Sequence, residues 1–459
     1  MEFHKQPHPR LGRLAAGQGK EADKMIREPL LFVATCDVSG RVRGKAFPLD
    51  LIEKRAGRGV GWTPTNVQIT CFDAIAESPY GSLGDLLLVP DRDSRVTVDF
   101  EDGSPAEDFM LGDILTLEGA PWECCTRSIL KSALKKLEDV AGVRLVGAFE
   151  HEFHLKAGEG GGAYSMEGYR NRAAFAATLM AAIKTAGLKP DTVMKEYGVG
   201  QYEVTISPER GVRVADAGLV LREMVRATAR RFDDEASFTP IRHPDGVGNG
   251  VHIHLSFEDS SGRPATYDEN GPHGMSAITQ AFVAGVLKYL DSIVAFTAPS
   301  SVSYLRLTPH RWSAAFNNLG VRDREASVRI CPTTARDPED VARQYNIEFR
   351  AADAAASPHL ALAAIVHAGV QGIVEKLEAP RATQEDLSLL DPAALAARGF
   401  TRLPQSLGEA IERMMANETV RGWFPAGFCE VYRDHKLGEL KFLGDRSVLE
   451  QCKAYEAVY

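Results

Sequence analysis

The sequence predicts an α+β fold in two parts, a small β-rich N-terminal part and a larger mixed one. Two observations predict it. Between about residues 30 and 120, short apolar runs are broken by turn residues, as small sheets require. Beyond residue 120, short strand-like runs alternate with long amphipathic helices through irregular connections, which favours α+β over a doubly wound parallel sheet. The chain has 459 residues, 44% hydrophobic and 25% charged, enough to bury the cores of two or three domains.

The division expected is an arm over 1–28, a β-rich domain over 29–120 and a second domain over 121–459. The arm is polar and basic and lacks the apolar stretch of a secretory signal. LLFVATCDVSGRVRGKAF gives two strands around a turn at Asp37–Gly40, and GDLLLVPD, SRVTVDF and DILTLEGAPW give further strands. Apolar spacing then predicts helices at 127–141, 166–186, 213–233, 274–297, 358–377 and 405–417. Ala354 to Val374 carries no charge, but Pro358, His359, His367 and Gln371 make it a buried helix, capped by Ser357 with Pro358 in its first turn, and not a membrane span.

Charge and cysteine usage exclude several classes. Lys plus Arg number 53 against 62 acidic residues, a net charge of −9, without the basic excess of a nucleic-acid binder. The seven cysteines form no CxxC pair, so reduced thiols in the cytoplasm are expected and neither a disulfide framework nor a zinc knuckle is. GRVRGK at 40–45 has the wrong spacing for a phosphate loop and is followed by Ala46. GVGNG at 246–250 precedes a strand, whereas a dinucleotide loop follows one.

The informative pattern is polar pairs two residues apart inside apolar strands, where i and i+2 share a face. GAFEHEFHL pairs Glu150 with Glu152, GVHIHLSF pairs His252 with His254, and NIEFRAAD pairs Glu348 with Arg350; GQYEVTI adds Glu203 and KEYGVGQYE adds Glu196. Any one pair fits a half-exposed strand facing water. Together they supply five carboxylates and a histidine, a donor set for two hard cations such as Mg²⁺ or Mn²⁺. Arg306, Arg324, Arg329 and Arg350 add guanidiniums suited to carboxylate or phosphate. Carboxylates for metals with arginines for anions is an inventory for phosphoryl transfer.

GAFEHEFHL, EYGVGQYEV, GNGVHIHLS, SYLRL, REASVRICP and IEFRAADAAASPHLALAA resemble, in order, the signatures of the glutamine synthetase family, from about Leu30 to Leu377. The resemblance implies an N-terminal β-grasp domain, a catalytic domain with an antiparallel barrel, and a ring-shaped homo-oligomer, a dodecamer by analogy. It implies ATP and Mg²⁺ or Mn²⁺ as cofactors. One metal would be held by Glu152, Glu196 and Glu203, a second by Glu150, His252 and Glu348. His254 and Ser256 would flank ATP, Arg329 would grip its phosphate, and Arg324 would act in catalysis on the transferring group. Arg306 and Arg350, with Gly248 close by, would bind glutamate.

The sequence also departs from that pattern. Where family members carry a glutamate that deprotonates ammonium, LRLTPHRWSAAF has Trp312, as in relatives that join glutamate to other amines. Val247 replaces an asparagine near glutamate, Asn346 replaces an arginine near ATP, Asp73 is a poor match for the ammonium-binding aspartate, and no tyrosine that some members adenylylate lies at 385–400. The resemblance therefore implies an ATP-dependent ligase joining the γ-carboxylate of glutamate to an organic amine, with Trp312 covering the amine. Its alternatives are synthesis of glutamine from ammonia, another acid substrate, and a non-catalytic regulatory homologue.

Overall fold

The computed structural model describes residues 26–158, 160–378 and 381–459, so the expected arm lies outside the described residues up to position 25. Leu30–Cys36 (β1) and Val42–Pro48 (β2) form the expected hairpin. Asp37 Oδ1 accepts the backbone N–H groups of Ser39 and Arg41 at 2.9 and 3.0 Å and so closes the turn. Val60–Trp62 (β3), Leu86–Pro90 (β4), Val96–Val98 (β5) and Glu107–Leu115 (β6) complete a sheet ordered β2-β1-β6-β4-β3, with β5 on β6. Only β1 and β6 run parallel in it. β6 begins six residues before the apolar run DILTL, because its charged start is neutralised from outside: Arg95 pairs with Asp108 at 2.8 Å and Arg231 with Glu107 at 3.0 Å. The helix Ile52–Arg58 was not expected; it buries no residue and so shows no apolar period.

The second sheet comprises Val143–Leu155 (β7), Pro190–Lys195 (β8), Gln201–Ile206 (β9), Glu209–Arg210 (β10), Ala236–Ser237 (β11), Val251–Asp259 (β12), Leu319–Gly320 (β13), Val328–Ile330 (β14) and Ile347–Phe349 (β15). Its order is β13-β14-β15-β12-β7-β9-β8, with β10 and β11 pairing β7. One face is apolar. Leu255, Val328, Ile347 and Phe349 meet Phe282, Val283, Val286 and Ile365 of two long helices. These helices, Ala277–Thr297 and Pro358–Val374, cross where Gly285 and Gly372 let their backbones touch: a Cβ on Gly285 would lie 2.7 Å from Gly372 Cα. Ala277–Thr297 is, among the described residues, the one helix long and apolar enough to cross a membrane, and it is spent on this core.

Five expected helices hold with shifted ends, at Thr126–Ala141, Arg213–Arg231, Ala277–Thr297, Pro358–Val374 and Leu407–Ala416. The stretch 166–186 is two helices, Met166–Arg170 and Ala173–Thr185. Asn171 donates to the Gly160 carbonyl at 3.0 Å and Arg172 pairs with Asp234 at 3.4 Å, pulling the joint out of helical geometry. Ser357 holds the N-cap position of its helix without a capping hydrogen bond.

Candidate active site

The polar face of the second sheet is assembled by cross-strand register. Residues directly opposite on antiparallel strands bring their Cβ atoms within about 5.5 Å. Here His252 lies opposite Glu150, His254 opposite Glu348, Arg329 opposite Glu348, and Glu152 opposite Glu203. Five strands thus deliver seven of the expected side chains to one surface, and Glu196 joins them from the turn after β8. His252 Nδ1 is 2.8 Å from Glu150 Oε1 and 3.5 Å from Glu348 Oε1, and His254 Nε2 is 3.5 Å from Glu150 Oε2. Two groups of donors fall within 4.8 Å of one another and share Glu150: one with His254 and Glu348, one with Glu203 and His252.

The charges divide the surface. Burial would raise the Glu150 carboxyl, but His252 and His254 hold it well below the usual carboxylate range. Burial is likewise outweighed at Glu348, where His252 and Arg350 bring the value down to about 2. On the other side, burial and then the charges of Glu150 and Glu152 push Glu203 up to about 10, and burial raises Glu196. Among the described residues no Lys, Arg or His forms an ion pair with Glu152, Glu196 or Glu203. Clustered carboxylates without a protein cation, beside oxygen and imidazole donors, fit Mg²⁺ or Mn²⁺.

Arginines edge the cluster. Arg306 is buried and donates to Ser313 Oγ at 2.9 Å and to the Ala352 carbonyl at 2.6 Å. It lies flat against Gly248, where a Cβ would come within 2.7 Å of its side chain. Arg350 pairs with Glu348 and donates to the carbonyls of Arg324 at 3.0 Å and Trp312 at 3.2 Å. Arg329 Nη1 meets Glu348 Oε2 at 3.0 Å. The Arg324 guanidinium is exposed. Ser256 follows His254 on the same face of β12, its hydroxyl 3.4 Å from the Val146 carbonyl.

Trp312 is 58% exposed and adopts φ +53° in a loop that Glu325 holds by accepting the N–H groups of His310 and Trp312 at 3.1 and 3.2 Å. Its ring meets Tyr197 at 5.6 Å, and Tyr197 meets Tyr164 at 5.6 Å. Tyr164 donates to Glu196 Oε1 at 2.8 Å, so the aromatic trio runs directly onto the carboxylates. Sequence reasoning missed both tyrosines, which lie in loops without period; the adjacency of Tyr197 to Glu196 was the available signal. It also missed Gln201, which ties the Gly248 carbonyl to Asn249 Oδ1 at 2.8 and 3.0 Å. Asp73 is engaged elsewhere, in an ion pair with Arg43 at 3.1 Å.

Two family models match the chain: the glutamine synthetase N-terminal domain over residues 20–122 and the glutamine synthetase catalytic domain over 123–453. Gamma-glutamylpolyamine synthetase GlnA3 of Streptomyces coelicolor is 34% identical over 404 residues, covering 85% of this chain and 84% of that protein. Type-1 glutamine synthetase 1 of Dictyostelium discoideum is 27% identical over 451 residues, covering 91% and 87%. A crystal structure described as a novel glutamine synthase homolog superposes with a TM-score of 0.87 at 37% identity, covering 95% of this chain and all of that one. An ADP complex of GmaS superposes with a TM-score of 0.78 over 92% and 96%, and at 23% identity it speaks for the fold alone.

Proposed function

The chain belongs to the glutamine synthetase family, and from that premise we propose that it joins the γ-carboxylate of glutamate to an organic amine through a γ-glutamyl phosphate. It is an ATP-dependent carbon–nitrogen ligase. The observation that carries the choice of amine is the Trp312–Tyr197–Tyr164 trio beside Glu196. An aromatic face attracts an alkylammonium and shelters its carbon chain, which ammonia does not have.

Each group has a role in that reading. Glu152, Glu196 and Glu203 hold one divalent cation, and Glu150, His252 and Glu348 another. Bound there, Mg²⁺ or Mn²⁺ would offset the charge of the phosphates and of the acceptor carboxylate. Arg306 and Arg350 orient glutamate, with Gly248 giving Arg306 room. His254, Ser256 and Arg329 flank the nucleotide. Arg324, exposed in its loop, meets the transferring phosphoryl group with its guanidinium fork. Trp312 and the tyrosines then hold the amine over the acyl phosphate and exclude water. The family further suggests a β-grasp domain ending near residue 120, a barrel-like catalytic domain to 459, a ring-shaped homo-oligomer and a cytoplasmic setting.

The test is phosphate release from ATP with Mg²⁺ and L-glutamate, using ammonium, methylamine, isopropylamine, ethanolamine or putrescine in turn, with mass detection of the product. Turnover with an organic amine should exceed that with ammonium, and W312A should erode this preference about tenfold, the factor that 1.4 kcal/mol represents. Preference for ammonium would make the chain a glutamine synthetase. Silence with every amine would point to another acid substrate or a regulatory homologue.

A further inference from the structure

Cys331 follows β14 directly and is 8% exposed. Its Sγ lies 3.6 Å from His254 Nδ1 and 3.8 Å from Glu348 Oε2. Those two residues, with Glu150, make up one of the two donor groups on the sheet. Phosphoryl transfer with Mg²⁺ or Mn²⁺ calls for oxygen ligands and has no use for a thiol. A tetrahedral thiophilic cation is different. With metal–sulfur bonds near 2.3 Å and metal–nitrogen or metal–oxygen bonds of about 2.0–2.2 Å, its sulfur and its other donors stand about 3.5 Å apart. The spacing around Cys331 is within a few tenths of an ångström of that.

We infer that Cys331, His254 and Glu348 form a site for a thiophilic divalent cation, Zn²⁺, Co²⁺ or Cd²⁺, overlapping the hard-cation site on the nucleotide side. The inference rests on the cation reading of that donor group. On binding, the Cys331 S–H bond breaks, its proton passes to solvent and an Sγ–metal bond forms, with no change of oxidation state. His254 Nδ1, now 2.9 Å from Asn346 Oδ1, turns to the cation. The imidazole proton then sits on Nε2, facing Glu150 Oε2 at 3.5 Å, the usual arrangement of a metal-bound histidine braced by a carboxylate. Arg329 shares Glu348 Oε2 with the site, so its guanidinium competes with the cation and keeps binding reversible. A soft cation seated there blocks the Mg²⁺-dependent reaction.

The full chain, stripped with EDTA, would be titrated with Co²⁺ alone. A thiolate-to-cobalt charge-transfer band in the near ultraviolet reports the Sγ–metal bond without any need for turnover. The expected result is a band that saturates after one cobalt per chain and is missing in C331S and C331A. In the same variants the Zn²⁺ concentration that halves activity, each enzyme referred to its own Mg²⁺ rate, should rise about tenfold or more. Cobalt uptake without the band, or a band that persists in both variants, overturns the role of Cys331 and leaves the oxygen-and-imidazole site standing. No cobalt uptake at all overturns the cation reading itself. Either variant assigns the band if the other fails to fold, and the wild-type spectrum alone decides whether any thiolate binds the cation.

Discussion

Arg306 is held by two neutral partners, Ser313 and the Ala352 carbonyl, although it is 4% exposed. Burial lowers its pKa, and the charge acting most strongly against that is Asp353, ahead of Glu152. Asp353 is itself buried, accepts the Ala355 N–H at 3.1 Å, and is pushed by burial up to about 6 against the pull of Arg306. It follows Ala352, whose carbonyl Arg306 donates to, and so is expected to act as a positioning residue for the arginine proposed to hold glutamate. D353N should raise the KM for glutamate about tenfold, the factor equivalent to 1.4 kcal/mol, while the KM for ATP stays within about twofold. Equal rises in both constants would mean general damage. A second readout follows from the pKa. The folded value lies above that of an unfolded aspartate, about 3.9, so the stability Asp353 contributes is full below that pH and is lost as pH rises through 6. D353N lacks this loss. The melting temperature of D353N relative to wild type should therefore climb between pH 4 and pH 7 and then level off, by no more than about 3 kcal/mol for two pKa units.

At the scale of strands, register turns a sequence pattern into a site. Glu152 and Glu203 face each other across β7 and β9, and without a cation Glu203 is held protonated at neutral pH, which costs stability relative to the unfolded chain where it ionises freely. Metal-free wild type should melt below the Mg²⁺-loaded form, with a gain near 2.7 kcal/mol when Mg²⁺ is present at about 100 times its Kd. E203Q should melt higher than wild type without metal and gain less on adding Mg²⁺, as followed by calorimetry with and without EDTA. An equal Mg²⁺ gain in both proteins would remove Glu203 from the cation site. The period of two made Glu150, Glu152, His252, His254, Glu348 and Arg350 legible, because each strand names its own face. It could not say that His254 faces Glu348, since register depends on the partner strand. Asp353 was hidden in the alanine-rich run after Arg350, where no period exists. Tyr164 and Tyr197 act through loop geometry that no local propensity encodes. The break at residues 171–172 escaped because its cause, the contacts to Gly160 and Asp234, lies outside the helix.

Across the whole molecule, a turn of the N-terminal sheet packs on the loop after Arg350. Gly40, at φ +76°, packs so closely on the loop after Arg350 that a Cβ would stand 2.2 Å from the Ala355 carbonyl oxygen. The fully buried Arg222 clamps the contact, donating to the carbonyls of Gly40 at 2.7 Å and Ala354 at 2.8 Å, and the Tyr459 hydroxyl bonds the Ser39 carbonyl. Asp353 is the next residue before that clamp, so the seating of one domain on the other bears on Arg306. G40A would test this against G262A. Gly262 has a similar φ of +82° with nothing within 4 Å of its Cβ, so G262A carries the left-handed strain of about 1–2 kcal/mol and no clash. G40A should lose a further 1–3 kcal/mol from overpacking, a drop of several degrees in melting temperature. It should also raise the KM for glutamate more than that for ATP, whereas G262A should move neither. Folded G40A with an unchanged glutamate KM would show that the backbone bond from Asp353 to the Thr297 carbonyl, at 3.1 Å, anchors the loop without help from the N-terminal sheet.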